Sequence, residues 1–395
     1  MDKPEFENYS EDGSSEHIDN ECFEAESVDS ENVSMTNSTL ESLDKGKNKK
    51  RKRKKRLWLR ILLIVLASLF GLLLIAVIAG VIIFNNLLNL MERTPAVSTT
   101  MSREQIEQYI MENTETIPDD YTGEILTDED IDWGTVDVKP IPQGDHIINF
   151  LLVGKDRISS GICRTDSIIL CTINKSKKEI TLTSFMRDLY LKLPNGYNNR
   201  INASYVFGGI DLLKRTMEET FGVKVDGTFE VDFDGFQDVI DLIGGVEITF
   251  DKSEANYMNK YTENRTRTFS AGTYTLKGNE ALAYARMRYV GGDTTRTLRQ
   301  RTILSKVFEK CHDMSPSQLY KLMEKVLPLI TTNLTNGQIM SYSAQLLPML
   351  SKMKLNTDSR VPYEGSYKMC MVNKMSVLVA DLDANRRMLE ELMKP

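Results

Sequence analysis

Histidine is scarce in this 395-residue sequence: His17, His146 and His312 are the only three, and they stand far apart. A histidine-built metal site or a Ser-His-Asp triad is therefore poorly supported. The five cysteines, Cys22, Cys163, Cys171, Cys311 and Cys370, form no Cys-x-x-Cys pair, which argues against zinc. There is no Gly-x-Ser-x-Gly elbow, no Gly-x4-Gly-Lys-Ser/Thr loop and no Gly-x-Gly-x-x-Gly fingerprint. What is left to carry chemistry is carboxylate and guanidinium.

Charge of one sign is missing from long stretches. Residues 1–44 hold fourteen Asp/Glu and a single lysine, while 45–60 hold eleven Lys/Arg and no acid. The overall net charge of −7 hides this polarity. From Ile61 to Phe84 there is no charge at all. Twenty-four uncharged, almost wholly apolar residues exceed the ~20 needed to cross a bilayer core as helix. A signal peptide would have a shorter apolar core of roughly 7–15 residues, nearer the start and followed by a small-residue cleavage site. The segment 57–84 is therefore predicted as one transmembrane helix. The basic run KGKNKKRKRKKRLWLR lies immediately before it, and such runs stay on the cytoplasmic side. In a soluble protein this run would suggest nucleic acid; beside a span it reads as a topology signal. The expected placement is single-pass in the cell membrane, N-terminus cytoplasmic, with the rest of the chain outside and no nucleic-acid partner. Residues 1–56 read as a disordered tail, acidic then polybasic, with too little apolar surface to fold. On this topology Cys22 is cytosolic, and Cys311–Cys370 could form a clip or remain buried free thiols.

With 41% hydrophobic and 27% charged residues, most of the chain can fold. Residues 85–145 read as a stalk-like linker with one short helix, SREQIEQYIMEN. From Ile147 the texture changes. IINFLLVG, DSIILCTIN, EITLTSF, GTFEVDF and GGVEITF are short apolar, β-branched runs closed by turns, and read as strands. GGIDLLKRTMEETFG and FQDVIDLI carry helical spacing, with Asp211 ahead of the first pattern. Strands alternating with helices predict an α/β fold, a central mixed sheet flanked by helices, over 146–310. Residues 311–395 read as mostly helical, with one candidate strand.

Three clusters hold the candidate site. In VGKDRISSGICRTDSIIL, Asp156 and Arg157 end one strand while Arg164 and Asp166 open the next. Two carboxylates at one sheet edge suit magnesium, which takes one or two protein carboxylates plus phosphate oxygens. The same residues also suit plain loop ion pairs, Asp156–Arg157 or Arg164–Asp166. In SFMRDLYLKLPNGYNNRINASYVFGG, Arg187 follows a strand and Arg200 precedes a helix-like run. The third cluster is ALAYARMRYVGGDTTRTLRQR. Five arginines fall within its last sixteen residues. Asp293, Thr294 and Thr295 are candidate N-caps for a helix on which Arg296 and Arg299 share a face. A helix N-terminus with arginine forks favours phosphate, although a solvated basic face remains the alternative. Together these clusters suggest a polyanion, and beside a membrane a pyrophosphate.

In order, LLVGKDR, CRTDSIIL, SFMRD, RINASYVFGG, VDFDGF, DLIGGVEI, LKGNEALAYARMR and DTTRTLRQR resemble the LytR-CpsA-Psr family of bacterial cell-envelope proteins, from about residue 147 to 310. Residues after 310 look similar to the helical C-terminal part of many members. The resemblance implies a lipid-accommodating apolar cavity and transfer of an anionic glycopolymer, a teichoic acid or capsular polysaccharide, from undecaprenyl pyrophosphate to peptidoglycan in a Gram-positive-type envelope. It implies that Asp156 and Asp166 bind magnesium or manganese. It implies that Arg164, Arg187, Arg200, Arg286, Arg288, Arg296 and Arg299 line the pyrophosphate site, with Asp156, Asp166, Arg187 and Arg299 catalytic. Met186 departs from the family's usual proline before Arg-Asp and bears on how Arg187 is placed. A lipid-pyrophosphate hydrolase, a non-catalytic polyprenyl-lipid binding protein and a transcriptional attenuator are the alternatives.

Overall fold

The computed structural model of the protein describes residues 62–95, 100–135, 137–157, 163–263 and 266–395. The tail read over 1–56, Cys22 and the loop at 158–162 lie outside the described residues. The chain divides into two units, one ending at Ala79 and the other running from Gly80 to Pro395. The apolar run forms a helix, α1 (Leu62–Leu88), of 27 residues. At 1.5 Å per residue it spans about 40 Å, more than a ~30 Å hydrocarbon core. Leu63, Phe70, Leu72, Ile75 and Val81 are all exposed, so the helix is apolar on every side rather than along one stripe.

In the second unit, β1 (Glu92–Arg93), α2 (Arg103–Glu112) and β2 (Glu124–Leu126) come first. Then follow β3 (Ile147–Arg157), β4 (Cys163–Asn174), β5 (Glu179–Phe185), β6 (Tyr190–Lys192), β7 (Asn198–Arg200) and α3 (Ile201–Phe221). Next are β8 (Gly227–Asp232), α4 (Phe233–Leu242), β9 (Val246–Phe250), α5 (Lys252–Tyr261), β10 (Gly272–Leu276), α6 (Gly278–Ala285) and α7 (Gly292–His312). The chain closes with α8 (Pro316–Val326), β11 (Thr331–Thr332), α9 (Asn336–Leu346), β12 (Lys354–Val361), β13 (Tyr367–Val372), β14 (Met375–Ala380) and α10 (Leu382–Met393).

The main sheet has seven strands in the order β1-β11-β8-β3-β4-β5-β12. It is mixed: β3, β4 and β5 run antiparallel in succession, while β8 joins β3 and β12 joins β5 in parallel. Alternation along the strands sorts the side chains into two layers. Leu151, Val153, Ile168 and Leu170 pack under α3 and α10 with Leu213, Met217, Phe221 and Leu389. Ile148, Ile173 and Ile180 face the other way, against Phe308 of α7 and Tyr342 and Leu346 of α9. A smaller core joins α4, β9, β10, α5, α6 and α7 through Ile240, Phe250, Met258, Leu276, Met287 and Ile303.

Three elements differ from the sequence reading. The stalk at 85–145 is folded onto the domain. Ser102 and Gln105 cap α2 reciprocally, Ile106 enters the main core, and Tyr109 meets Phe207 edge-on at 5.5 Å. The helix read from Asp211 begins ten residues earlier, at Ile201, and kinks at Gly208–Gly209. Gly209 has φ +62°, a backbone state that interrupts the helical pattern and hides the first half. The region after 310 is not simply helical: β11 and β12 extend opposite sides of the main sheet, and β13 and β14 form a hairpin joined by β2. KLNTDSRV, the sequence of β12, is polar because it forms a sheet edge, so it carries no buried-strand signal. Cys163, Cys171, Cys311 and Cys370 are free thiols, and no clip joins Cys311 to Cys370.

Candidate functional site

The site begins with a β-bulge. Gly154 opposes Ser167 and Lys155 opposes Thr165, which leaves Asp166 as an extra residue without a ladder partner. Strict alternation would send Asp166 to the face opposite Ser167 and Ile169. The bulge instead brings all three to the lining of one cavity. Thr165 fixes the irregularity by placing its hydroxyl 3.0 Å from both the Gly154 and Ser167 carbonyls.

Around Asp166 a network of guanidiniums assembles from three chain segments. Arg187 follows β5 and places Nη1 2.6 Å from Asp166 Oδ1, and Arg288, in the α6–α7 loop, reaches Asp166 Oδ2 at 3.3 Å. Arg187 also lies 3.3 Å from Asp188 and 3.9 Å from Asp293. Arg296, 1% exposed, holds Asp293 at 2.9 and 3.0 Å and approaches the Asp166 carbonyl at 3.5 Å. Arg200, preceding α3, joins from the edge through Asp188 at 3.8 Å and is also held by Glu115 and the Ser376 carbonyl. Four guanidiniums thus share four carboxylates: Asp166, Asp188, Asp293 and, at the edge, Glu115.

The electrostatics divide the acids. Burial pushes the Asp166 carboxyl up, but Arg187, Arg296 and Arg288 outweigh it and hold it below the ordinary value. For Asp293 burial prevails over Arg296 and Arg187, and its carboxyl is raised. Burial lowers Arg296 to about 10, with Arg187 and Arg288 adding repulsion against the pull of Asp293. Arg296, which lines the same cavity as Asp166, has an Nε with no hydrogen-bond partner within the protein, a buried cationic donor left unsatisfied.

Of the residues singled out in the sequence, Asp166, Arg187, Arg200, Arg288 and Arg296 share this network. Arg286 lines the same cavity and stacks on Phe233 at 4.7 Å. Arg164 and Arg299 turn elsewhere. Arg164 donates to Asn113 at the end of α2 at 2.7 Å and lies over Tyr109, so the loop ion pair with Asp166 is not formed. Arg299, 3% exposed, donates to Glu254 at 3.0 Å and to the Met287 carbonyl at 3.1 Å. Its sharing of a helix face with Arg296 does not bring it to Asp166. Asp156 stands across the ladder from Arg164 and is not part of the cavity lining. Among the described residues no three His, Cys, Asp or Glu side chains converge as a preformed cation site.

Two acids were not legible as site residues. Asp293 reads as an N-cap, yet Gly291 caps α7 and Asp293 sits inside the first turn, three residues before Arg296. Asp188 follows Arg187 in SFMRD, and only the fold brings Arg200 to it. Gly291 has φ +78°, and a Cβ there would meet Thr295 Oγ1 at 2.3 Å. The turn that aims Arg288 and Arg296 therefore depends on glycine.

Behind the network lies a cavity of about 360 Å³ between the sheet and α4, α6 and α7. Leu152, Ile169, Phe236, Ile240, Ile303 and Leu304 are among its mostly apolar walls. Its polar lining is Asp166, Ser167, Arg286, Arg288, Arg296 and Gln300, together with two acids already engaged. Glu230 is held by Tyr205 at 2.5 Å and Asp232 caps α4. An apolar slot bordered by guanidiniums can bind an amphiphile with an anionic head.

The LytR_cpsA_psr family model matches residues 108–394. Biofilm regulatory protein A of Streptococcus mutans is 30% identical over 225 residues, 53% of this chain and 55% of that protein. The chain thus spans about half the length of that relative. A Bacillus cereus protein named polyisoprenyl-teichoic acid–peptidoglycan teichoic acid transferase TagU is 30% identical over 236 residues, 59% of this chain and 73% of that protein. The crystal structure of Bacillus subtilis TagT superposes with a TM-score of 0.51 at 24% identity, covering 65% of this chain and 93% of that one, and shares the fold. With the family match running from α2 to α10 across the bulge, the arginine network and the cavity, the chain belongs to the LytR_cpsA_psr family.

Proposed function

We propose that the protein is a membrane-anchored transferase that moves an anionic glycopolymer from a polyprenyl pyrophosphate carrier to peptidoglycan, on the outer face of the cell membrane. The observation that carries this reading is the adjoining of an apolar cavity and a guanidinium network on one site, with a membrane-length helix in the same chain. The name of the Bacillus cereus relative supports the donor and acceptor classes. Whether the polymer is a teichoic acid or a capsular polysaccharide depends on the sugar, and undecaprenyl is the proposed carrier chain.

In this reading the polyprenyl chain occupies the cavity and its pyrophosphate meets Arg187, Arg286, Arg288 and Arg296. These cations stabilise the charge that grows on the departing polyprenyl phosphate. An acceptor hydroxyl attacks the sugar-linked phosphorus, the bond to the polyprenyl phosphate breaks, and the hydroxyl proton leaves to a base. Asp293, whose carboxyl is raised by burial, is suited to hold that proton, while Asp166 stays ionised. Of the two acids expected to bind magnesium or manganese only Asp166 lines the cavity, and its oxygens would hold such an ion together with phosphate oxygens, the ion neutralising pyrophosphate charge. Arg164 and Arg299 support the site from outside it.

The test is a transfer assay with a labelled polyprenyl-pyrophosphate saccharide and peptidoglycan. We expect label in the peptidoglycan, with polyprenyl phosphate released only when acceptor is present. Release without acceptor would make the protein a hydrolase. Tight binding with no turnover, and no effect of Asp166→Asn, would make it a lipid-binding protein.

A further inference from the structure

Beside the arginine network stands an aromatic cluster that neither the core nor the cavity uses fully. Tyr257 and Tyr261 lie one turn apart on α5, with ring centroids 4.5 Å apart. Tyr289, next to Arg288 in the α6–α7 loop, stacks on Tyr261 at 5.7 Å with an interplanar angle of 16° and comes within 6.2 Å of Tyr257. Tyr289 is 82% exposed and Tyr261 42%. A ring held in a stack yet open to water has apolar surface left for a ligand.

The surroundings narrow the ligand. Arg288 bonds Asp166 while its neighbour Tyr289 carries the stack, so the two sites adjoin through one peptide bond. Burial raises the Tyr257 phenol, Tyr261 and Tyr289 add to the rise, and Arg286 and Arg288 pull against it, so both guanidiniums lie within electrostatic reach of the cluster. Lys260 Nζ lies 5.0 Å from the Tyr261 centroid. Flat apolar faces ringed by phenolic hydroxyls, an ammonium and a guanidinium match a pyranose. One face of that ring is C–H, and its edge is hydroxyl and amide.

We propose that Tyr257, Tyr261 and Tyr289 form a saccharide subsite that stacks a sugar ring next to the anion site. The assignment rests on the carrier reading, in which a sugar is bonded directly to the pyrophosphate held by the arginines. The sugar has two sources, the first residues of the donor polymer and the glycan strand of the acceptor.

The experiment compares wild type, Tyr289→Ala and Tyr261→Ala/Tyr289→Ala as full-length protein in detergent. Three probes are titrated: bare polyprenyl pyrophosphate, the same lipid bearing a disaccharide, and a soluble peptidoglycan tetrasaccharide. We expect about tenfold weaker binding of a saccharide probe, the scale of an aromatic contact between planar partners, and unchanged binding of the bare lipid. Loss on the lipid-linked disaccharide assigns the donor sugar, and loss on the tetrasaccharide assigns the acceptor strand. Saccharide affinities within about twofold of wild type would overturn the subsite. Equal loss on all three probes at an unchanged melting temperature would also overturn it, in favour of a lipid-headgroup contact. Failure of wild type to bind the bare lipid would defeat the carrier reading, and the tetrasaccharide titration would still decide the subsite. The exposed ring of Tyr289 makes the single variant a safe second reading if the double variant melts lower.

Discussion

Arg296 and Arg299 lie three residues apart on α7, and the same spacing serves two different ends. Arg296 turns to Asp293 and the Asp166 carbonyl, while Arg299 closes a buried pair with Glu254, which is itself only 13% exposed at its side chain. Removing Arg299 leaves that carboxylate without its cation. We expect Arg299→Ala to cost about 3–5 kcal/mol in chemical denaturation. Activity would then be lost with the fold, and an unchanged denaturation midpoint would contradict this placement. Asp166 behaves differently because its carboxyl is depressed in the folded state. A depressed acid contributes stability that is present above its unfolded pKa, near 4, and lost as pH falls through the lower folded value. Melting temperatures of Asp166→Asn and wild type, both measured with chelator, should differ fully at pH 7 and at pH 5 and converge only below about pH 4. A gap that already closes at pH 6 would speak against the Arg187 and Arg288 cage. The types of these residues were readable from the sequence, as was their chemistry. Their pairings were not, because whether a guanidinium faces a carbonyl, a ring or a carboxylate depends on neighbours distant in the chain, as with Arg164 and Asn113.

At the scale of elements, the central strands and the helix after GGD were legible because apolar runs and turn residues bound them locally. The bulge at Asp166 was not, since it arises from the mismatch of two strands rather than from either one. Nor was β12, whose polar sequence becomes a strand only beside β5. The latch at that edge is Arg301, buried at 3% exposure, donating to Ser184 on β5 at 2.6 Å and to the Thr357 carbonyl on β12. It ties α7 to two strands and so fixes the helix that carries Arg296. The other end of α7 depends on Gly291. Gly291→Ala forces a side chain into the left-handed region and against Thr295. We expect a loss of about 1–2 kcal/mol in a denaturant titration and weaker binding of bare polyprenyl pyrophosphate. Full affinity in this variant would show that the turn does not aim the arginines.

On the scale of the whole molecule, the sequence spans three settings, a charged tail, an apolar helix and a folded domain, and only the last carries the arginine network and the cavity. The apolar helix was the plainest feature of the sequence and runs four residues past its expected end at Phe84. The cavity was not readable from composition, because its walls, from Leu152 on β3 to Ile303 on α7, look like ordinary core residues until the sheet and helices stand apart. An apolar slot joined to an anion site is the central claim, and its ligand class can be read directly. The measurement is mass spectrometry of lipids that co-purify with the detergent-extracted protein, wild type beside Arg286→Ala/Arg288→Ala. The account predicts a polyprenyl phosphate or pyrophosphate in the wild type and its loss from the variant. Absence of any such lipid from both preparations, while a lipid-loaded control is recovered, would contradict it.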